Sequence, residues 1–192
     1  MHMKASDCGT SAKFRFQFSY STIQITTGVS KSSRVNIMKK PNPEYIKRIH
    51  QIVNSCPYFE LLSMKLQDVG IGYSVLEIDL AKKHLQPFGM VHGGVFASII
   101  DAASFWSIYF RLEDQSAGLT TVDLKLNYLA PAASGKLIAR GRQIKLGKTL
   151  GYADAEVTDE TGKILAHGSS TVIILPGKAI EADPPLPPKF ID

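Results

Sequence analysis

The chain has 192 residues, 44% of them hydrophobic and 20% charged, which suits one globular domain with a sizeable core. Its formal net charge is +5, but residues 1–40 hold seven Lys or Arg residues against one Asp, so the rest of the chain is close to neutral. Because a nucleic-acid partner would need a basic surface on the folded body, we expect no such partner.

Residues 1–40 form a leader rich in Ser, Thr and Lys that we place outside the domain. It lacks an apolar stretch followed by a small-residue cleavage site, so no secretory signal is predicted. Its composition fits a mitochondrial presequence loosely, and fits an upstream extension before Met38 or a disordered tail better. Residues 14–25 alternate as a strand would.

Two cysteines, Cys8 and Cys56, lie far apart and support neither a disulfide framework nor a metal site. We therefore expect a reducing, cytoplasmic setting, with no metal or cofactor. The nearest candidate for a membrane span, residues 95–110, is short and is interrupted by Asp101, so none is predicted.

The predicted elements begin with an amphipathic helix over residues 43–54, after a Pro start, and a hairpin over residues 64–80. Residues 93–110 are apolar nearly all round, which indicates a helix buried on most sides. Short turns then separate runs typical of an antiparallel meander. These strand-like runs cover residues 120–129, 136–146, 149–158 and 163–175.

This order of elements predicts an α+β domain over residues 41–176, in which about six strands curl around one central helix. Residues 177–192 are proline-rich, and we expect an extended, solvated tail.

Asp101 is the unusual residue of the long helix, because a buried carboxylate costs several kcal/mol unless it is paired or neutralised. It could cap a backbone group, pair with a cation across an interface, or lie on a polar stripe with Ser98 and Ser104. It could also serve a reaction.

The sequence His92-Gly93-Gly94 stands where a loop enters this helix. Residues without side chains let a ligand approach free backbone N–H groups at the positive end of the helix dipole, although tight backbone packing also explains a Gly-Gly pair. A carbonyl oxygen bound to the Gly93 N–H would be polarised for attack. His92 is a candidate cap or packing residue and, less readily, a general base.

Gly93 and Asp101 are eight residues apart, which along a helix is about 12 Å, too far to serve one carbonyl in the same chain. Two such helices lying antiparallel across a two-fold axis would bring each Asp101 towards the other chain's Gly93. The spacing thus predicts a homodimer with shared sites, and further pairing into a homotetramer stays open.

The run from His84 to Asp101 resembles hotdog-fold acyl-CoA thioesterases of the phenylacetyl-CoA type, and the resemblance covers about residues 42–175. The family has an Asn or Gln seven residues before the first Gly of its HGG motif and an Asp or Glu eight after it. Here these residues are Gln86, Gly93 and Asp101. The resemblance implies a hotdog fold and an acyl-CoA substrate.

It also implies roles for side chains. Asp101 of the other subunit would act as general base or nucleophile, Gln86 would orient water or the thioester, and Thr121 would help to position water. The coenzyme A moiety would lie near Gly94, Lys145, Lys148, His167, Gly168 and Ser169, although a solvated hairpin and an ordinary strand explain the last five equally well. Aromatic residues that could shape an acyl or aryl pocket, or fill the core, are Phe105, Trp106, Tyr109 and Phe110.

Three functions other than thioester hydrolysis are compatible with parts of the sequence. A hydratase or dehydratase of the same fold would use His92 with Asp101, and a binding-only protein would lack catalytic groups. Residues 141–149 resemble a phosphate-binding loop, but five residues instead of four separate Gly141 from Gly147, and two strands flank the segment. Nucleotide hydrolysis is therefore rejected.

Overall fold

The computed structural model describes residues 39–191; residues 1–38, with most of the predicted leader and Cys8, lie outside the described part, as does residue 192. The helices are α1 (Pro43–Asn54), α2 (Pro57–Leu61) and α3 (Gly93–Tyr109). The strands are β1 (Lys40–Pro41), β2 (Met64–Gly70), β3 (Tyr73–Asp79), β4 (Gly118–Tyr128), β5 (Lys136–Leu146), β6 (Leu150–Thr158), β7 (Ile164–Leu175) and β8 (Phe190–Ile191).

Helix α1 has the predicted bounds. The Asn42 side chain accepts a hydrogen bond from the Glu44 N–H at 3.0 Å, which caps the helix, and its buried face carries Tyr45, Ile49 and Val53. The short helix α2 was not predicted, since its five residues are too few to show a period.

The main sheet has six antiparallel strands in the order β2-β3-β5-β6-β7-β4. Helix α3 packs against all six of them. The predicted α+β class, with about six strands around one central helix, is therefore confirmed. Within residues 39–191, no helix is long and apolar enough to cross a bilayer.

The predicted meander is wrong for one strand. Strands β5, β6 and β7 follow one another in the sheet, but β4 pairs with β7, and β5 pairs with β3 instead. The tight turns between β5, β6 and β7 force neighbours to pair, whereas the seven residues 129–135 are long enough to cross the sheet. As a result β4 forms an edge of the sheet.

Glycines let α3 approach the middle of the sheet closely. A Cβ atom at Gly141 of β5 would lie 2.1 Å from the carbonyl oxygen of Ala103, and one at Gly168 of β7 would lie 2.8 Å from the Ile100 side chain. Real Cβ atoms do not come this close, so both positions need glycine. The helix is thereby held against the sheet backbone.

The predicted solvated tail is wrong for its last described residues, although residues 177–188 are mostly exposed. Strand β8 pairs with β1, and the Asn42 N–H donates to the Lys189 carbonyl at 2.9 Å. The Lys189 side chain is only 2% exposed. Composition alone predicted that this segment is exposed to solvent, because lysine and proline are rarely buried.

Lys189 closes the carboxyl end of α3. Its Nζ donates to the carbonyl oxygens of Tyr109 at 2.6 Å and Leu112 at 3.0 Å, and lies 3.8 Å from the centre of the Tyr109 ring. The Tyr109 carbonyl also accepts from the Leu112 N–H at 3.2 Å, so Lys189 adds a second donor there and supplies a donor to the Leu112 carbonyl, beyond the last turn of the helix. Burial lowers the pKa of Lys189 to about 7, and Asp114 opposes this shift weakly.

This pKa predicts a pH-dependent stability. An unfolded lysine keeps its proton up to about pH 10.4, so between pH 7 and 10 the unfolded chain binds more protons than the folded one. Stability contributed by Lys189 should therefore rise with pH in this window, by at most about 1.4 kcal/mol per pH unit. We expect the difference in urea-unfolding free energy between wild type and Lys189→Met to grow accordingly.

The contributions of other titrating groups are the same in both proteins, so they cancel when the two unfolding free energies are subtracted. Lys178→Met, at an exposed position, is the matched control. A wild-type minus Lys189→Met difference that is constant from pH 7 to 9.5 would show that Lys189 keeps its proton in the fold.

Candidate functional site

The amino end of α3 carries the first part of the site. His92 is the N-cap residue, and its Nδ1 accepts a hydrogen bond from the Gly94 N–H at 2.9 Å. Within residues 39–191 the Gly93 N–H has no acceptor. The cap thus occupies the Gly94 N–H and leaves the Gly93 N–H free among the described residues. Of the roles considered for His92, the structure favours the cap.

This end of the helix opens into a cavity of about 620 Å³, which we call the Gly93 cavity. Apolar side chains form most of its wall, with a few polar groups beside them, as in many ligand sites. The residues that line it are Gln86, Met90, Val91, His92, Gly93, Gly94, Phe96, Tyr128, Leu129, Ala130 and Pro131.

Gln86 lies in this cavity with one end of its amide already fixed. The side-chain oxygen accepts a hydrogen bond from the Phe88 N–H at 2.6 Å, and the Gln86 backbone carbonyl accepts one from Gly89 at 2.9 Å. The side-chain NH₂ has no acceptor within residues 39–191. Gln86 therefore presents a hydrogen-bond donor to the cavity beside the Gly93 N–H.

Asp101 lies half-buried on α3, two helical turns further on. The Thr121 hydroxyl, from edge strand β4, donates to its Oδ1 at 2.7 Å. Among the described residues no Lys, Arg or His forms an ion pair with Asp101. The hydroxyl thus orients the carboxylate and leaves the second oxygen available, as a base or nucleophile requires.

The carboxylate faces a second cavity, of about 420 Å³, which we call the Asp101 cavity. Of the four aromatic residues considered for a pocket, Phe105 and Trp106 line it, whereas Tyr109 and Phe110 are buried in the core. Its lining residues are Tyr58, Phe59, Met64, Ala97, Ser98, Asp101, Ala102, Phe105, Trp106 and Leu124.

The two cavities share no lining residue. One chain therefore brings Gln86 to Gly93 and Thr121 to Asp101, but does not bring these two pairs together. This arrangement agrees with the distance of about 12 Å expected along the helix between Gly93 and Asp101.

The residues predicted to contact coenzyme A are spread over the sheet. Lys145 and Lys148 are exposed near the β5–β6 turn. His167 and Ser169 are half-exposed and alternate with buried residues of β7, and His167 Nε2 lies 3.8 Å from Asp154. Gly168 faces α3 instead, in contact with Ile100.

Tyr128 is a residue of the Gly93 cavity that the sequence analysis missed. It is the last residue of β4, and its hydroxyl donates to the Gly93 carbonyl at 3.3 Å. The only available signal was the alternation of Leu124, Leu126 and Tyr128 along this strand, which does not distinguish a site residue from a packing residue.

Comparison with known proteins gives these features a context. The thioesterase superfamily model matches residues 88–166. Acyl-coenzyme A thioesterase 13 of Mus musculus is 26% identical over 130 residues, which is 66% of this chain and 91% of that protein. The 1,4-dihydroxy-2-naphthoyl-CoA hydrolase of Listeria monocytogenes is 26% identical over 115 residues, 60% of this chain and 93% of its own.

Solved structures show the same architecture. A Haemophilus influenzae thioesterase superposes with a TM-score of 0.65 at 21% identity, over 72% of this chain and 96% of that one. Zebra fish thioesterase superfamily member 2 has a TM-score of 0.59 at 25% identity, over 67% and 94% of the two chains. The predicted hotdog fold and the predicted enzyme class, a thioester hydrolase, are confirmed.

The cap at His92 can be tested through stability. We expect His92→Leu, which removes the acceptor for the Gly94 N–H, to lower the free energy of unfolding by about 0.5–2 kcal/mol. His92→Asn keeps a side-chain acceptor at the N-cap and should unfold close to wild type in urea. Equal losses in both variants would show that the imidazole contributes by packing and not by capping.

Proposed function

We propose that the protein is a homodimeric acyl-CoA thioesterase that hydrolyses a medium-chain or aryl acyl-CoA to the free acid and coenzyme A. One observation carries the proposal: a free N–H donor at Gly93, beside the Gln86 amide, coexists on one helix with a half-buried carboxylate that Thr121 orients. Donors for a carbonyl oxygen and a base for water are the parts that thioester hydrolysis needs.

The carbonyl group would bind at the amino end of α3. Its oxygen accepts from the Gly93 N–H, where the helix dipole favours developing negative charge. Since the Gln86 amide oxygen is occupied by Phe88, its free NH₂ donates to the carbonyl or to the attacking water. Both donors are fixed before substrate binds, which lowers the cost of reorganisation in the transition state.

Asp101 supplies the attack by one of two routes. As a general base it takes a proton from water; the oxygen adds to the carbonyl carbon, the C–S bond breaks, and the thiolate leaves and takes up a proton. As a nucleophile its free oxygen attacks the carbonyl carbon, the C–S bond breaks and the thiolate leaves and takes up a proton; water then hydrolyses the mixed anhydride to the free acid and restores the carboxylate. In either route the bond from Thr121 holds the carboxylate in place.

A second subunit would complete each site. Leu129, which lines the Gly93 cavity, is 58% exposed; Phe88, between the cavity residues Gln86 and Met90 in sequence, is 87% exposed, and Val122, next to Thr121, is 55% exposed. Exposed apolar surface of this kind marks an interface. We propose that two α3 helices lie antiparallel across a two-fold axis, so that Asp101 of the partner subunit meets the carbonyl bound at Gly93.

The Asp101 cavity would hold the acyl group. Its volume of about 420 Å³ and its lining of Phe59, Met64, Phe105 and Trp106 suit a phenyl ring or a medium alkyl chain. The Listeria relative is named for an aryl-CoA substrate, which supports the aryl alternative.

Coenzyme A binding, location and assembly are further parts of the proposal. Coenzyme A would bind near Gly94, Lys145, Lys148, His167, Gly168 and Ser169. A cytoplasmic location and pairing of dimers into tetramers are further expectations. A dehydratase is less favoured, because a base at His92 would have to give up the bond that its Nδ1 accepts from Gly94.

Replacing the carboxylate tests the activity. We expect Asp101→Asn to lower kcat by about 10²-fold or more, the usual size of a general-base contribution. Acetyl-, octanoyl-, palmitoyl- and phenylacetyl-CoA would be assayed with a thiol reagent that reports free coenzyme A. Octanoyl- or phenylacetyl-CoA should give the highest kcat/KM.

Asp79→Asn is the matched control, since this carboxylate is 74% exposed on β3, and it should keep wild-type turnover. Near-native hydrolysis by Asp101→Asn would remove Asp101 from the mechanism. Release of coenzyme A from none of the four substrates by wild type would remove the proposed activity.

The shared site predicts complementation between two inactive variants. Mixed dimers of Asp101→Asn and Gln86→Ala contain one site with both parts intact and one with neither. Random pairing makes about half of all dimers mixed, so about a quarter of all active sites are intact. Co-refolded chains should therefore regain about a quarter of wild-type turnover. Each variant refolded alone is the control, and a mixture no more active than the better of the two would place the whole site within one chain.

A further inference from the structure

Tyr128 ends strand β4 beside the start of α3. Its hydroxyl donates to the Gly93 carbonyl at 3.3 Å, and its ring packs edge-on against Phe96, with centroids 6.1 Å apart. The side chain is nevertheless 58% exposed, so one face of the ring and part of the hydroxyl remain open to the Gly93 cavity.

Gly93 and Tyr128 fit one another closely. A Cβ atom added at Gly93 would lie 2.8 Å from the Tyr128 hydroxyl oxygen and 3.0 Å from the ring carbon that bears it. The phenol therefore occupies the space that a side chain at Gly93 would need. Gly93 and Tyr128 both line the Gly93 cavity, so a ligand held at the Gly93 N–H enters the cavity that the phenol borders.

The bond that holds this hydroxyl is weak enough to exchange. At 3.3 Å it is well beyond the usual length for a hydroxyl donor, about 2.7–2.8 Å. The Gly93 carbonyl is in the first turn of α3 and also accepts along the helix, so it loses little when the hydroxyl turns away. A better acceptor arriving at the Gly93 N–H would compete for the same proton.

We propose that Tyr128 is a substrate-contacting residue whose hydroxyl turns from the Gly93 carbonyl to donate a second hydrogen bond to the thioester carbonyl oxygen. This inference rests on the proposed function and adds to it a donor at the same oxygen. The Phe96 contact fixes the ring, so that only the hydroxyl proton has to rotate. Two donors from different elements, β4 and α3, then define where the oxygen sits.

Binding measurements test this donor without turnover. Two analogues would be compared by calorimetry: a ketone in which CH₂ replaces the thioester sulfur, and a thioether in which CH₂ replaces the carbonyl. Tyr128→Phe keeps the ring and should weaken binding of the ketone by about 3- to 10-fold, whereas its affinity for the thioether should equal that of wild type. Equal effects on both analogues would overturn the proposal, because they would reflect the shape of the cavity alone.

Kinetics give the second measurement. Tyr128→Phe should raise KM by about 3- to 10-fold, in line with the ketone, and should also lower kcat by about 10-fold, because the bond strengthens as negative charge develops on the oxygen in the transition state. Tyr73→Phe is the control, since Tyr73 is 44% exposed on β3 and its hydroxyl also donates one long hydrogen bond, to the Asp68 carboxylate at 3.5 Å. Wild-type kcat in Tyr128→Phe would overturn the proposal.

The two proposals fail in different ways. If wild type hydrolyses no acyl-CoA, the proposed function fails, and the comparison of ketone with thioether still decides whether Tyr128 recognises a carbonyl group. If wild type is active and Tyr128→Phe matches it in both measurements, only the role of Tyr128 fails. Thermal unfolding of Tyr128→Phe within about 2 °C of wild type would exclude loss of structure as the cause of either effect.

Discussion

The structure depends on one constraint: a helix that is apolar on nearly all sides has to be enclosed. Helix α3 is enclosed by six strands, and glycines at Gly141 and Gly168 let it lie directly against their backbone. Its position is therefore set by close packing, which does not deform continuously. Because Gly93 begins this helix and Asp101 lies within it, the core also fixes both reacting groups, and the fold and the proposed chemistry share one rigid element.

Each reacting group has a neighbour that occupies part of its hydrogen-bonding capacity. Thr121 takes one oxygen of Asp101, Phe88 takes the oxygen of the Gln86 amide, and His92 takes the Gly94 N–H. Each pairing leaves free the donor or acceptor that the proposed reaction needs. These free groups are one carboxylate oxygen, the amide NH₂ and one backbone N–H. Such partial satisfaction orients polar groups without neutralising them.

The sequence was informative where a pattern is local. Helix α1, the central helix and most strand bounds follow from spacing, whereas Gln86 was named from the family resemblance and lines the same cavity as Gly93. It failed where distant parts meet, as in the place of β4 at the sheet edge and in Tyr128 packing on Gly93. It also misjudged Lys189, because composition predicts that a lysine is exposed to solvent. Composition cannot show that the Tyr109 and Leu112 carbonyls accept hydrogen bonds from this side chain.

That last contact has a consequence for how the chain is made. The carboxyl end of α3 receives its donor from a residue 80 positions later in the chain, after every strand of the sheet. During synthesis, all residues of the helix and of the six-stranded sheet are thus present before this donor is. The full set of hydrogen bonds at this end of the helix therefore exists only after residue 189 has been added to the chain.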